Sequence, residues 1–465
     1  MKKSWLSFVI VCMAVMVGMA YADSDRHHQN EGTATSTSSS STTSSNYVVF
    51  ATNDLGMHCA CPGADTFLLL PPFNTLRAQV IRRGDDPEVI TDPNQITVTY
   101  SILENTDASL KADPYFQSWI NNSPKIFPGF QPIRADGRIQ GLTGATLSGN
   151  MVPMPGGYWE VAGIPAYPAL DPNGVMIDPL GGPNRNPYLT GQIKVYSKSN
   201  GALLTQVNTV VPVAFGGCCS CHLRVAQDYG RVNPTPRDSF EVMGMLHARS
   251  SGIDFSKIDP DGDGIGGPIR CSRCHLDPAM GESVPPGYAG YPTSKYTFSD
   301  VVHRFHVQSA AVQVYDPNIA NNCYDCHPGN GVNCYRDTHR TKTINGHNIW
   351  CSDCHGDLNQ RVASGQLLKP WSDQTLPTCS KCHSNTGEGE GYLNTGLFGK
   401  FLNSRGHKDH KILCSSCHGE PHALYPSTLA KDNAEPMTIQ GDPRAVGKCS
   451  VCHTDRSSSW GMPPH

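Results

Sequence analysis

The sequence has few hydrophobic and few charged residues for its length. Hydrophobic residues make up 38% and charged residues 16% of the 465 residues, whereas glycine and proline number 45 and 36. Such a composition favours turns and loops, so aliphatic side chains alone would fill only part of the core. An excess of positive charge is also absent, because the formal net charge is -4. This balance argues against nucleic acid as a partner.

Long apolar runs are missing after residue 22. The only such run, WLSFVIVCMAVMVGMA, follows Lys2 and Lys3 and precedes the small residues AYA at 20–22. This pattern predicts a secretory signal peptide over residues 1–22. An uncleaved membrane anchor is the alternative, because the run approaches the length of a bilayer span. Cleavage would remove two lysines and no acid, leaving 34 basic against 40 acidic residues.

The composition divides the mature chain into three parts, residues 23–45, 46–217 and 218–465. Residues 23–45 contain TATSTSSSSTTSS, which predicts a disordered Ser/Thr-rich spacer. Residues 46–217 contain strand-like runs between Gly, Pro and Asn: NYVVFATN, LRAQVIRR, ITVTYSIL, YWEVAGI, QIKVYS and LLTQVNTVVPVAF. These runs predict an N-terminal β-sandwich-like domain, and the whole fold is expected to be mixed.

The pattern CxxCH occurs seven times in residues 218–465. Two cysteines three residues apart can bond to the two vinyl groups of one haem, and the following histidine is then the proximal ligand of its iron. Zinc is the alternative for one CxxC, but seven copies that all continue to histidine favour c-type haem. The seven sets are Cys218, Cys221 and His222; Cys271, Cys274 and His275; Cys323, Cys326 and His327; Cys351, Cys354 and His355; Cys379, Cys382 and His383; Cys414, Cys417 and His418; and Cys449, Cys452 and His453.

Little polypeptide is available for each predicted haem. The seven motifs occupy residues 218 to 453, which is about 34 residues for each cofactor. The porphyrins would therefore form much of the core and lie close together. We expect residues 218–465 to be a loop-rich multihaem cytochrome c domain with short helices.

The remaining histidines are candidates for the second axial ligand. Nineteen histidines minus seven proximal ones leave twelve, of which His27 and His28 lie in the polar N-terminal tail. Ten for seven irons supports histidine on both faces of each iron, and this supply makes ligation by Met243 or Met245 unnecessary. His303 and His306 would share one helix face and could ligate two neighbouring irons. The preferred distal candidates are His247, His303, His306, His407 and His422, then His347, His339 and His410, with His58 and His465 last.

Four cysteines of the mature chain lie outside the CxxCH motifs. They are Cys59, Cys61, Cys219 and Cys334. An even number in an oxidising compartment favours two disulfide bonds, in which Cys59 and Cys61 would each pair with Cys219 or Cys334. The alternative is a metal or haem site that includes His58 and Cys59.

The segment DPDGDGIGG resembles the start of a calcium loop. Asp259, Asp261 and Asp263 alternate before Gly264, as calcium ligands do in helix-loop-helix sites. Position twelve is Arg270, where such a loop needs glutamate. A shorter calcium loop and a plain acidic turn both remain open.

Several linked motifs resemble a family of large secreted multihaem c-type cytochromes from metal-respiring bacteria. They include VVFATNDLGMHCACP, LLLPPFNTLRAQVI, GLTGATLSGNM, VVPVAFGGCCSCH, CYDCHPGNGVNCYRD and CSSCHGEPHALYPS, and the resemblance covers residues 47 to 455. It implies electron transfer at or beyond the outer membrane, and some members of this type form conductive filaments. The chain departs from the family at Thr338 and His339, where relatives usually carry methionine.

Together these features predict a secreted heptahaem cytochrome, located from the periplasm to the cell surface, that is an electron carrier rather than an enzyme. Its expected acceptors are partner cytochromes or extracellular metal oxides, with self-association into filaments as a further expectation. The alternative function is a multihaem reductase of a small oxyanion such as nitrite, which needs one iron with an open face. No CxxCK motif is present, and histidines are in excess.

Overall fold

The computed structural model describes most of the chain that follows the Ser/Thr tract. The described residues are 45–64, 67–178, 181–253, 269–271, 274–276, 294–308, 321–328, 332–364 and 412–455. The predicted signal peptide, the Asp259–Asp263 segment and the fifth CxxCH motif lie outside them. Within these ranges the fold is mixed, with several β-sheets and a few helices.

The first sheet is antiparallel and has the order β1-β4-β9-β8, with β5 also paired to β4. β1 and β4 are aligned over seven residues, so that Val49 lies opposite Val80. Nearly every residue of these two strands is buried, which shows that both faces of the sheet are covered. The strands are β1 (Tyr47–Asn53), β4 (Asn74–Arg82), β5 (Glu88–Val89), β8 (Val152–Met154) and β9 (Tyr158–Ile164).

The second sheet has the order β2-β13-β12-β6-β7. Along β6, buried and half-buried residues alternate, as expected where one sheet face packs on a core. β2 is the exception to the antiparallel pairing, because it lies parallel to the end of β13 with His58 opposite Val213. The strands are β2 (His58–Ala60), β6 (Ile96–Ile102), β7 (Ser148–Asn150), β12 (Tyr188–Ser197) and β13 (Leu203–Phe215).

One hydrophobic core lies between the two sheets. Leu76 and Val80 of the first sheet join Val98, Ile193 and Val211 of the second, and each of these side chains is fully buried. Burial of one such side chain contributes about 1.5–3 kcal/mol. This core therefore holds the two sheets of the N-terminal part together.

Two helices, α1 (Asp107–Ala112) and α2 (Pro114–Ile126), lie within the region for which the sequence predicted strands. Asp113 caps α2, because its Oδ1 accepts hydrogen bonds from the amides of Tyr115 and Phe116 at 3.0 and 3.1 Å. Proline at the first position of α2 has the fixed φ that a helix start requires.

After residue 217 the described strands are short, with two to four residues each, and helices predominate. The helices of this part are α3 (Cys218–Asp228), α4 (Pro236–Ser251), α5 (Phe298–Gln308), α6 (Asn321–Tyr324), α7 (Cys351–His355), α8 (Leu358–Ala363), α9 (Cys414–His418) and α10 (Ala434–Gln440). Two 3₁₀ turns cover Thr338–Thr341 and Cys449–Val451. The two-stranded pairs are β3 (Phe67–Leu68) with β14 (Ile269–Arg270), β10 (Ala169–Leu170) with β11 (Arg185–Asn186), β15 (His275–Leu276) with β16 (Ser294–Thr297), and β17 (Thr343–Ile344) with β18 (His347–Asn348).

The last described segment returns to the first sheet. Val451 packs with Val48, Phe50 and Ile81 in a second, smaller core. Residue contacts divide the chain into units 1–44 and 45–465, so the predicted boundary at residue 217 falls inside the second unit. Among the described helices, none combines the length and the hydropathy that a bilayer crossing requires.

Candidate functional site

Four described CxxCH motifs form or begin helical turns. α3 begins at Cys218, α7 covers Cys351–His355, α9 covers Cys414–His418, and a 3₁₀ turn starts at Cys449. Residues three apart are neighbours on a helical surface, so each pair of cysteines lies on one side of its turn. This is the arrangement needed for two thiols to bond to one flat ring.

Each of four CxxCH histidines faces a second histidine from elsewhere in the chain. In all four cases the second histidine is one of the distal candidates from the sequence. The pairs are His222 with His306, His275 with His247, His327 with His303, and His355 with His422, with ring centroids 6.3, 6.1, 5.9 and 5.8 Å apart. In two of these pairs, His327 with His303 and His355 with His422, the ring planes are nearly parallel, with interplanar angles of 17° and 29°.

The separation within these pairs fits two axial ligands of one metal ion. With metal–nitrogen bonds of about 2.0–2.1 Å on each side, two imidazoles across an ion have ring centroids about 6 Å apart. Rings in direct stacking contact would be closer. The centroid distances of the four pairs therefore match the spacing of two imidazoles that ligate one metal ion.

Each of the four candidate distal histidines forms a hydrogen bond through Nδ1. In His247, the Nδ1–H donates to Ser251 Oγ at 3.2 Å. A bond of this kind fixes the tautomer and orientation of a ligating imidazole. The backbone acceptors of the other three are Ser299 O for His303, Val302 O for His306 and Leu55 O for His422, at 2.7, 2.7 and 2.8 Å.

Helix α5 connects two of the pairs. His303 and His306 are one turn apart on this helix, yet His303 faces His327 and His306 faces His222. One rigid element therefore carries candidate ligands for the first and third CxxCH sites. An ion pair between Arg304 Nε and Asp300 Oδ2, at 2.7 Å, stabilises its first turns.

Burial favours the neutral form of two CxxCH histidines. It lowers the pKa of His222 to about 4, with a smaller effect from the charge of His306. Burial likewise lowers the pKa of His275 to about 4, with a smaller effect from His247. Neutral imidazole is the form that binds metal, so these rings are ready to ligate across the neutral pH range.

Three candidate histidines contact carboxylates. His58 donates from Nε2 to Asp54 Oδ1 at 2.9 Å, and both side chains are buried. The second case is His347, whose Nε2–H donates to Asp353. In the third, a hydrogen bond from Nδ1 to Asp337 Oδ1 at 3.0 Å raises the pKa of His339. His407, His410 and His465 lie outside the described residues.

The sixth and seventh CxxCH motifs dock on the first sheet. Gln79 Oε1 accepts hydrogen bonds from Leu413 N at 3.1 Å and from Ser416 Oγ at 2.8 Å. His453 donates from Nδ1 to Asp85 O at 3.1 Å, just beyond the end of β4. Strands of the N-terminal part therefore support motifs that are more than 300 residues later in the chain.

Three of the four additional cysteines are free thiols in this structure: Cys59, Cys61 and Cys334. Cys61 Sγ accepts hydrogen bonds from the amides of Leu69 and Leu70, both at 3.2 Å. Burial, followed by the charge of Cys334, raises the pKa of the Cys59 thiol. The side chain of Cys219 is not described, and the disulfide bonds stay a prediction.

No group of three or more His, Cys, Asp or Glu side chains arranged to hold a metal ion occurs in the described part of the chain, His58 and Cys59 included. The histidine pairs described above have two side chains each and therefore do not count as such a group.

His422 is held partly by backbone groups, which cannot be recognised from residue types in the sequence. Its ring is held by the backbone carbonyl of Leu55, a contact that the sequence analysis did not predict.

If the CxxCH motifs carry haem, replacement of His347 by alanine is expected to leave every iron low-spin. The Nε2 of His347 lies 3.1 and 3.2 Å from the two carboxylate oxygens of Asp353, and the side chain is 41% exposed. In this structure the Nε2 of His347 is therefore engaged by the Asp353 carboxylate. The check is the electron paramagnetic resonance spectrum of the oxidised protein, with His422→Ala as the matched control that opens one iron. A high-spin signal in His347→Ala would make His347 a ligand.

Comparison with known proteins identified no relative of this chain. No protein-family model, no curated protein and no solved structure matches this chain. A function for the chain is therefore inferred from its own residues.

Proposed function

We propose that this chain is a secreted heptahaem c-type cytochrome that relays electrons through closely packed haems with histidine on both faces of the iron. The observation that supports it best is the set of four CxxCH histidines that each face a second histidine at 5.8–6.3 Å. In this proposal residues 46–217 form a β-sandwich-like domain, and residues 218–465 form a loop-rich heptahaem domain.

The residues have separate tasks in the proposed function. The cysteines of each CxxCH motif attach one haem covalently, and the histidine that follows is its proximal ligand. The distal ligands of the first four sites are His306, His247, His303 and His422. Bound haem supplies one-electron redox chemistry, and the protein sets its ligation, spacing and access to water.

Ligation on both faces favours electron transfer over catalysis. A haem with two histidine ligands has no position for a substrate, so it can exchange electrons but does not bind an oxyanion. His303 and His306 on one helix would also fix the separation of two irons. Short and fixed separations between haems serve a relay.

We infer a location from the periplasm to the cell surface from the signal-like N-terminus. The formal charge of the mature chain would be 34 positive against 40 negative residues. Partner cytochromes and extracellular metal oxides are the proposed acceptors, and self-association into filaments is proposed from the family resemblance alone.

Carbon monoxide provides the test of this function. The purified protein is expected to contain seven covalent haems by mass spectrometry, and its reduced visible spectrum is expected to stay unchanged under carbon monoxide. Carbon monoxide binds only an iron with an open or weakly held face. A shift of about one seventh of the haem absorbance would favour the oxyanion reductase, with one open site. A purified secreted chain without covalent haem would exclude both functions.

A further inference from the structure

His422 has an unusual backbone conformation and a fixed ring. Its φ is +70°, a region that non-glycine residues rarely adopt. The ring donates from Nδ1 to the carbonyl oxygen of Leu55 at 2.8 Å, and its centroid lies 5.8 Å from that of His355. A residue held in such a conformation needs support from its surroundings. That support comes from the N-terminal sheet.

The turn that follows β1, Asn53–Gly56, is shaped to receive His422. Asn53 Oδ1 accepts hydrogen bonds from the amides of Leu55 at 2.8 Å and Gly56 at 2.6 Å, which closes the turn. Gly56 has a φ of +72° and lies directly against the backbone of Pro421. A Cβ at this position would overlap the Pro421 carbonyl oxygen and lie 2.8 Å from His422 Cβ. Glycine is therefore required here by both conformation and space.

Arg336 fastens the turn to His422 from the other side. Its backbone amide donates to the His422 carbonyl at 2.6 Å, and its Nη1 donates to the Gly56 carbonyl at 3.0 Å. The guanidinium is buried and forms ion pairs with Asp432 at 2.7 Å and Glu420 at 3.2 Å. A buried guanidinium paired with two carboxylates is a rigid anchor, because a displaced charge would lose its partners.

We propose that the turn Asn53–Gly56 is a positioning site for His422 as the distal ligand of the iron at the fourth CxxCH site. The inference rests on the proposed function. The Leu55 carbonyl selects the tautomer with hydrogen on Nδ1 and directs Nε2 toward His355. The absence of a side chain at Gly56 lets the backbone of Pro421 and His422 pack directly against the turn, so that the His422 ring reaches the Leu55 carbonyl. The N-terminal domain thus completes the coordination of a haem whose covalent attachment lies about 300 residues away.

Gly56→Ala is the variant that tests the positioning site. We expect it to retain seven covalent haems while one of the seven irons becomes high-spin, as in His422→Ala. Gly201→Ala is the matched control, because Gly201 also has a positive φ of +70° but has nothing within 4 Å of an added Cβ. This control is expected to keep the wild-type spectrum. Added imidazole is expected to restore the low-spin state of Gly56→Ala, and an unchanged far-ultraviolet circular dichroism spectrum separates this local effect from a general loss of structure.

The outcomes separate this inference from the proposed function. A Gly56→Ala protein with seven low-spin haems would overturn the positioning role and leave the cytochrome function intact. If Gly56→Ala does not accumulate, Asn53→Ala tests the same inference. This variant removes the hydrogen bonds that close the turn and adds no atoms. It should show a high-spin fraction of up to one seventh, and a fully low-spin Asn53→Ala would equally overturn the inference. Wild-type protein without haem would instead reject the proposed function.

Discussion

Replacement of both histidines of helix α5 by alanine, His303→Ala with His306→Ala, is expected to open two irons and not one. The rings face different CxxCH histidines, His327 at 5.9 Å and His222 at 6.3 Å. Each single variant should therefore convert one seventh of the haem to the high-spin state, and the double variant two sevenths. The measurement is the high-spin fraction by electron paramagnetic resonance and by carbon monoxide binding after reduction.

Loss of the helix would not explain such a result. Alanine has a higher helix propensity than histidine, so both substitutions favour the helical state of α5. The Nδ1–H of each ring is bonded to a carbonyl one turn earlier, and its removal leaves those carbonyls with their helical partners. The number of covalent haems should stay at seven, because the cysteines of the two sites are unchanged.

A neighbouring position on the same helix supplies the control for α5. Val301→Ala keeps both histidines and is expected to keep all irons low-spin. If the double variant shows the same high-spin fraction as one of the single variants, His303 and His306 do not serve separate irons. That result would remove the proposed connection between the first and third sites.

Strands in the N-terminal part were largely predictable from local sequence. The runs NYVVFATN, YWEVAGI and LLTQVNTVVPVAF coincide with β1, β9 and β13, because β-branched and aromatic residues bounded by Gly, Pro and Asn indicate strands. The helices α1 and α2 were missed. Their signals are a capping box at Thr106 and an Asp-Pro start at Asp113, which are weaker than hydrophobic periodicity.

The candidate ligands were predictable as residue types but not as pairs. CxxCH spacing is local, so the sequence alone identifies each candidate attachment site. Which distal histidine faces which iron depends on how distant loops meet. His422 lies four residues after His418 but faces His355, because the turn Asn53–Gly56 holds it there. The Leu55 carbonyl belongs to the backbone, and backbone groups carry no residue-type signal.

Removal of the Arg185 side chain is expected to cause the largest loss of stability in the N-terminal part. Arg185 is fully buried, and its Nη1 and Nε bind Asp113 at 2.6 Å and Asp178 at 2.9 Å. The guanidinium also lies over the rings of Tyr115 and Phe215, at 4.9 and 5.1 Å. Arg185→Met would leave two carboxylates buried without a cation. Loss of one partner from a buried ion pair costs about 3–5 kcal/mol.

Chemical denaturation followed by far-ultraviolet circular dichroism measures this loss as a lower free energy of unfolding. Arg82→Met is the matched control, because its ion pair with Glu88 is about half exposed, at 47% and 54%. It should cost at most about 1 kcal/mol.

A second substitution identifies the cause of the Arg185 effect. If uncompensated charge is responsible, Arg185→Met combined with Asp113→Asn and Asp178→Asn should recover part of the lost stability, because no buried charge then lacks a partner. Asparagine also keeps the cap of α2, since it accepts the same amide hydrogen bonds as aspartate. A triple variant that is less stable than Arg185→Met would mean that packing of the guanidinium on Tyr115 and Phe215, and not charge pairing, holds this core together.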